Sequence, residues 1–379
     1  MRIVVVGGGM AGTIFANNLA RRLSSELKAG KARITMLSAS DKHIYQPGWL
    51  YVALGRMTPD ELEREEASLL EPEIAFFVDP VQSFRLGESH VVTRSGKVHE
   101  YDLLVIATGS RPVPEDVPGL KENSVHCYSA EDALKLHDRL QAFTGGRILV
   151  TVGLPHKCPM IPLEITFTMH DFIRDRGLID KTEFYYTYPI GRAHSLENVA
   201  TWASGEFAKL GVRQETFFNL KEVDGAKGCV RSEEGSEVKY DLLVAVPPHR
   251  GEAVIEENKL GPNGWIPTDR YSLHMQGDHG EKVIVLGDTT NLPISKAGST
   301  AHFEAEVAAE NAAAMVKTGR AARSYDGKVF CFIEAGKDRA TYAMFTYQKP
   351  PEPRAPNAAM HAFKMAYNQL YWASVRGLM

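Results

Sequence analysis

The sequence predicts an α/β protein of two Rossmann-like dinucleotide-binding domains, the second inserted in the first, with a C-terminal amphipathic helical element. Three observations predict it: a glycine-rich turn between two short apolar strands at the start, a second strand–turn–helix pattern near residue 150, and two later strand-and-glycine segments that return to the first unit. At 379 residues the chain is long enough for two or three domains. Its 44% apolar and 24% charged composition is that of a folded globular protein. A formal charge of -4, without any Lys/Arg-rich run, argues against nucleic acid as a partner.

Arg2 to Val6 is a β-branched run. Gly7, Gly9 and Gly12 follow in G-x-G-x-x-G spacing, with Met10 and Ala11 between them, and a helix over about 11–27 and a strand over about 33–37 complete a βαβ unit. Absent side chains permit the tight turn, the approach of a pyrophosphate and close helix–strand packing. Ser38 stands where many such folds keep an acid for the ribose. Tyr101 to Gly109 is a buried strand ending in Ala107, Thr108 and Gly109, and Lys282 to Asp288 is another ending in Gly287 and Asp288. Both resemble signatures of two-dinucleotide-domain flavoproteins, which favours FAD over NAD.

The second βαβ pattern has a strand over about 147–152, the turn Gly153 to Cys158 and a helix over about 161–176. A working nicotinamide site would place glycine at positions 155 and 158; these hold Pro155 and Cys158. The unit is therefore read as a nucleotide site that has lost its ligand. The expected division is 1–112 and 262–325 for the cofactor domain, 113–261 for the inserted one and 326–379 for the C-terminal element. Within the last, the Pro-rich stretch 349–356 reads as an extended connector.

Cys127, Cys158, Cys229 and Cys331 include no C-x2-C pair, so no metal site is expected. Cys158 lies just before a helix start and beside Lys157, both of which favour thiolate. Glu164 lies in the first turns of the same helix, where it can move a proton or simply complement the dipole. Cys331 sits on the strand-like run Val329 to Glu334, and spacing does not fix its distance from Cys158. In the last helix, about 357–376, Met360, Phe363, Tyr367, Leu370, Tyr371, Ser374 and Leu378 lie near one stripe, with Lys364, Gln369 and Arg376 elsewhere. Such a stripe suits a core or a membrane surface. No secretory signal and no run of about 18 apolar residues is seen, which predicts a peripheral protein on the cytoplasmic side of the cell membrane.

The run His156-Lys-Cys158-Pro with Glu164 downstream, Phe330-Cys331-Phe332 and the flavin segments together resemble the sulfide:quinone oxidoreductase family nearly end to end. The resemblance implies FAD, held by Gly7, Gly9, Met10, Ala11, Gly12, Ser38, Val81, Ala107, Thr108, Gly109, Gly287, Asp288 and Lys296, with Asp288 on the ribityl chain and Lys296 at the pyrimidine edge. It implies that Cys158 and Cys331 form the redox pair, bridged directly or through sulfur, with Cys127 as a third cysteine. Sulfide would be the donor and a quinone the acceptor, seated among Phe330, Phe332, Phe345 and Tyr347. The single terminal helix implies shallow membrane docking, or a homo-oligomer that sums weak contacts. The pattern departs from the family at the histidines: Glu131 and Asp132 follow Cys127 where a histidine is common, and Arg192 or His194 falls near another. Rival readings are the flavin subunit of a cytochrome c-reducing sulfide dehydrogenase, a type II NADH:quinone oxidoreductase and a flavin redox sensor. Cys229 is assigned no role.

Overall fold

A computed structural model describes residues 1–378. Strand β1 (Arg2–Val6) leads through the glycine turn into α1 (Met10–Arg22), and then come β2 (Arg33–Ser38), β3 (Ile74–Val78) and β4 (Leu103–Ile106). The chain next builds a separate unit from β5 (Gly146–Val152), α2 (Ile161–Asp175), β6 (Thr182–Tyr188), β7 (Arg213–Thr216) and β8 (Leu242–Val246), paired in parallel in the order β7-β6-β5-β8. It then returns with β9 (Val283–Val285) and α3 (Gly298–Thr318), giving a first sheet of order β9-β4-β1-β2-β3, parallel throughout. The expected insertion of one Rossmann-like unit into another is therefore present.

Both faces of the first sheet are covered. Ile3 and Val5 join one apolar cluster and Val4 and Val6 another, which is why β1 reads as an unbroken apolar run. The helix expected over 11–27 stops at Arg22: the fully buried Leu23 leaves helical geometry at φ -108° and ψ 20°, and a short helix, Ser24–Lys28, follows. Helix α3 packs along α1. Ala301, Ala305, Ala308, Ala309 and Ala312 on its buried face permit close approach.

Strands β10 (Val329–Glu334) and β11 (Ala340–Phe345) form an antiparallel hairpin that pairs Cys331 with Ala343 and Phe332 with Tyr342. Helix α4 (Ala358–Val375) lies over this hairpin and against α1. Asn17 donates to the carbonyls of Leu69 (2.9 Å) and Val375 (3.0 Å), while Tyr371 meets His43 at 2.7 Å and His43 meets Glu66 at 2.7 Å. The single stripe expected on α4 divides in two. Tyr371, Ser374, Val375 and Lys364 turn inward, whereas Phe363 (63% exposed) and Leu370 (47%) face outward with Ala359, Ala362 and Ala366. Lys364 is buried against the sequence expectation because carboxylates wait for it inside. Among the described residues no helix is long and apolar enough to cross a membrane.

Candidate active site

The first sheet opens at its carboxyl end onto the glycine turn. A Cβ at Gly7 would stand 2.2 Å from the Ala107 carbonyl oxygen, and one at Gly12 would stand 2.0 Å from that of Gly7. At Gly9 it would meet nothing within 4 Å, and the first turn of α1, with Met10 and Ala11, carries no side-chain cap. Uncapped N–H groups at a helix start, facing open space, fit a pyrophosphate. Ser38 ends β2 beside Gly8, and Val81 shares an apolar cluster with Val6 and Leu37. On the other side, Gly109 N–H donates to Thr289 Oγ1 at 2.8 Å, Thr108 Oγ1 lies 3.3 Å from the same hydroxyl, and Ser110 donates to Asp288 Oδ2 at 2.8 Å. The turns ending β4 and β9 thus form one edge of the cradle.

Lys296 reaches back to that edge. Its ammonium donates to the carbonyls of Asp288 (3.2 Å) and Thr290 and lies 4.2 Å from the centre of the Trp265 ring. Beneath the turn, Gly287 N–H donates to Glu304 Oε2 at 2.6 Å, and the other oxygen of this fully buried carboxyl has no protein partner. Burial pushes the Glu304 carboxyl up to about 8.

The sulfur residues converge on the start of α3. Cys158 N–H donates to the Lys296 carbonyl at 2.7 Å, and the Cys331 sulfur lies 3.7 Å from Ser299 Oγ. Cys158 has φ 50°, in the left-handed region that side chains other than those of glycine, asparagine and aspartate seldom occupy. The loop is reshaped as well as resubstituted. The first cradle starts its helix at Met10, just after Gly9, whereas α2 starts only at Ile161. Pro155 accepts the N–H of His249 at 2.6 Å instead of facing a phosphate.

The sequence expects a thiolate at Cys158; the structure differs. Lys157 turns away, donating to Gln46 Oε1 at 2.6 Å and standing 3.8 Å from Asp288 Oδ2. Burial, reinforced by Cys331 and Glu164, pushes the Cys158 thiol up, and the N–H groups of Met160 and Ile161 only partly oppose this. Burial likewise takes Cys331 to about 11 and Cys127 to about 12, with Glu164 adding to each. Three cysteines therefore share the surroundings of one carboxylate. Their pocket favours uncharged sulfur, either thiol or bridged, and a thiolate released there is poorly solvated and strongly nucleophilic. Cys229 lies elsewhere, on a strand, Cys229–Ser232.

Glu164 is itself held in a buried ionic group. Lys364 donates to its Oε1, which also accepts the N–H of Glu334 at 2.9 Å; the Lys364 ammonium stands 3.9 Å from Glu334 Oε1. Tyr51 donates to Glu334 Oε1 at 2.9 Å, and His361 Nδ1 lies 3.0 Å from Glu334 Oε2. Burial raises Glu164, while Lys364, despite its burial, is held charged by the two carboxylates.

Of the four aromatics expected to form one group, the structure joins two. Phe330 and Phe332 lie 4.8 Å apart, with Tyr342 5.5 Å from Phe330 and Tyr367 5.8 Å from Phe332. Phe345 is buried in the core opposite Val329, on the other side of the hairpin's alternation. Tyr347 packs with Tyr271 and Tyr325 and donates to the Arg270 carbonyl at 3.2 Å. Sequence proximity concealed this because successive strand residues point to opposite faces.

The family model for pyridine nucleotide-disulphide oxidoreductases matches residues 1–319. The chain belongs to that family. As a pyridine nucleotide-disulphide oxidoreductase it is an FAD-dependent enzyme, and the cradle described above fits that cofactor. Among its relatives, the mitochondrial sulfide:quinone oxidoreductase of Dictyostelium discoideum is 28% identical over 91% of this chain and 78% of its own length. A sulfide-quinone reductase of Aquifex aeolicus is 32% identical over 78% of this chain and 63% of its own length. The crystal structure of the sulfide:quinone oxidoreductase from Aquifex aeolicus superimposes with a TM-score of 0.86 and 21% identity, covering 99% of this chain and 91% of that one.

This oxidoreductase also gathers residues that spacing alone missed. Tyr128 packs 4.6 Å from His249 and 5.9 Å from His126, and its hydroxyl reaches the Lys157 carbonyl at 3.5 Å. Burial pushes His156 down to about 4, His194 to about 3 and His249 to about 2, leaving uncharged imidazoles around the Cys158 loop. Asp132, read as a departure from the family, lies 3.5 Å from His126. Of these histidines, the site reading by sequence raised only His156 and His194. His249 lies far downstream, and nothing local marks it.

Proposed function

We propose that the protein oxidises sulfide to polysulfide or sulfur and passes the electrons to a membrane quinone. The observation that carries this reading is the convergence of Cys158 and Cys331 on Lys296 and Ser299, beside the cofactor cradle. Similarity to sulfide:quinone oxidoreductases over most of the chain supports it, as does the rebuilt turn at Pro155 and Cys158, where the helix starts only at Ile161.

In the proposed cycle Cys158 and Cys331 start as a bridge, which the uncharged pocket favours. Hydrosulfide attacks one sulfur; a new S–S bond forms, the old one breaks, and the products are a persulfide and a thiolate. Closing these into a sulfur-lengthened bridge releases two electrons and one proton. FAD, held by Gly7, Gly9, Gly12, Asp288 and Lys296, would take the two electrons and supply the two-electron link to the quinone. Glu164, felt by all three cysteines, receives or returns the proton on the sulfur side. Cys127 serves as a third sulfur acceptor.

Phe330, Phe332, Tyr342 and Tyr367 offer flat apolar faces for the quinone ring. The outward Phe363 and Leu370 of α4 provide a surface for the membrane from which the quinone comes. The test is anaerobic sulfide titration of the holoprotein, followed by a quinone analogue. Repeated bleaching and recovery of the flavin absorbance is expected. No bleaching by sulfide, or bleaching by NADH instead, overturns the reading.

A further inference from the structure

We propose that His361, Glu334 and Lys364 form the path along which the proton consumed in quinone reduction enters the buried site. This rests on the reading above, whose overall balance is one hydrosulfide, one quinone and one proton giving one sulfur atom and one quinol. Two electrons leave sulfur and reach the quinone. One of the two hydrogens of the quinol comes with the hydrosulfide, and the other must come from solvent.

The geometry supplies such a route. His361, on the first turn of α4, is half-buried, and its Nδ1 lies 3.0 Å from Glu334 Oε2. The second oxygen of Glu334 stands 3.9 Å from Lys364 Nζ. Lys364 is one turn before Tyr367 on α4, and Tyr367 belongs to the aromatic group around Phe332. The run therefore passes from a group in contact with solvent, through a fully buried carboxylate, to an ammonium one helical turn from Tyr367. In the transfer itself, an N–H bond of Lys364 breaks as an O–H bond forms on the reduced quinone. Lys364 then regains a proton from Glu334, and Glu334 from His361.

A simple clamp holding α4 to the body needs one carboxylate for one ammonium. Here there are two, Glu164 and Glu334, and the surplus negative charge is shared with an imidazole that reaches water. The other titratable groups facing this run are Tyr51, which donates to Glu334, Tyr45, Tyr367 and the thiol of Cys331; burial raises all four and keeps them protonated. None competes for the proton at neutral pH.

The test compares His361→Gln with the parent holoenzyme. Glutamine can still hydrogen-bond Glu334 but does not titrate. The flavin is reduced by dithionite in one arm and by sulfide in the other, and its reoxidation by a short-chain ubiquinone analogue is followed by stopped flow. Reoxidation in the variant is expected to slow about tenfold or more at pH 8, with recovery on adding free imidazole. Glu334→Gln should show the same loss without rescue. Reoxidation at the parent rate, or a loss in His361→Gln that imidazole does not repair, overturns the route and leaves the cluster as a clamp. Failure of the functional reading looks different: sulfide does not bleach the parent, while the dithionite arm still reports on His361.

Discussion

The backbone N–H of Cys158 donates to the carbonyl of Lys296 across 2.7 Å. This bond joins the loop before α2 to the segment before α3, and in the first turn of α3 itself Ser299 meets Cys331. A short stretch of backbone therefore sets the position of both sulfurs against the edge of the cofactor cradle.

Replacing either Cys158 or Cys331, which stand as free thiols in this structure, by serine removes one sulfur of the proposed pair but none of the cradle. Sulfide-driven bleaching of the flavin is expected to fall by at least about a thousandfold, with the ratio of bound FAD to protein unchanged. Stopped-flow absorbance and the ultraviolet–visible spectrum of the purified variant measure the two. Full activity in either variant would falsify the pair.

Lys364→Met strands two buried carboxylates. The expected cost is about 3 kcal/mol of unfolding free energy in urea, of which Glu164→Gln introduced alongside should restore a substantial part. A single-variant loss below about 1 kcal/mol would mean that the charge group is more hydrated than its geometry implies.

Glu304 gives a pH signature. Its folded value of about 8 lies above the ordinary 4.5, so the folded state holds the proton more tightly. Stability from this group is full below about 4.5 and declines as pH rises toward 8. Glu304→Gln should therefore be more stable than the parent at pH 9, by on the order of 2 kcal/mol, and equal to it at pH 4. Thermal melts across pH decide this; parallel profiles contradict it.

Phe363→Glu with Leu370→Glu places charge on the outward face of α4. Co-sedimentation with phospholipid vesicles should weaken by about tenfold or more, while turnover with a water-soluble quinone analogue is retained. Undiminished vesicle binding would move the membrane contact elsewhere.

The cofactor cradle was readable because its chemistry is local: Gly7, Gly9 and Gly12 act within one turn, and Thr108 and Asp288 end strands whose apolar runs announce themselves. The same holds for the rebuilt turn at Pro155. Burial was not readable. Lys157 and the start of α2 suggested a stabilised thiolate at Cys158, but the side chain of Lys157 leaves for Gln46 and the desolvation of the pocket dominates. Lys364 looked like a surface charge because its partners, Glu164 and Glu334, come from α2 and β10. Tyr347 looked like a neighbour of Phe332 because sequence separation does not show which side of a hairpin a residue takes.

The order of the first sheet has a consequence for biosynthesis. Its edge strand β9 is contributed by Val283–Val285, and the helix that packs along α1 by Gly298–Thr318. While the ribosome is still making the inserted unit, the glycine turn is translated but one wall of its cleft is missing. Flavin loading must therefore wait until those later segments emerge, and the nascent chain has to keep the unfinished face of β4 from pairing with other strands in the meantime.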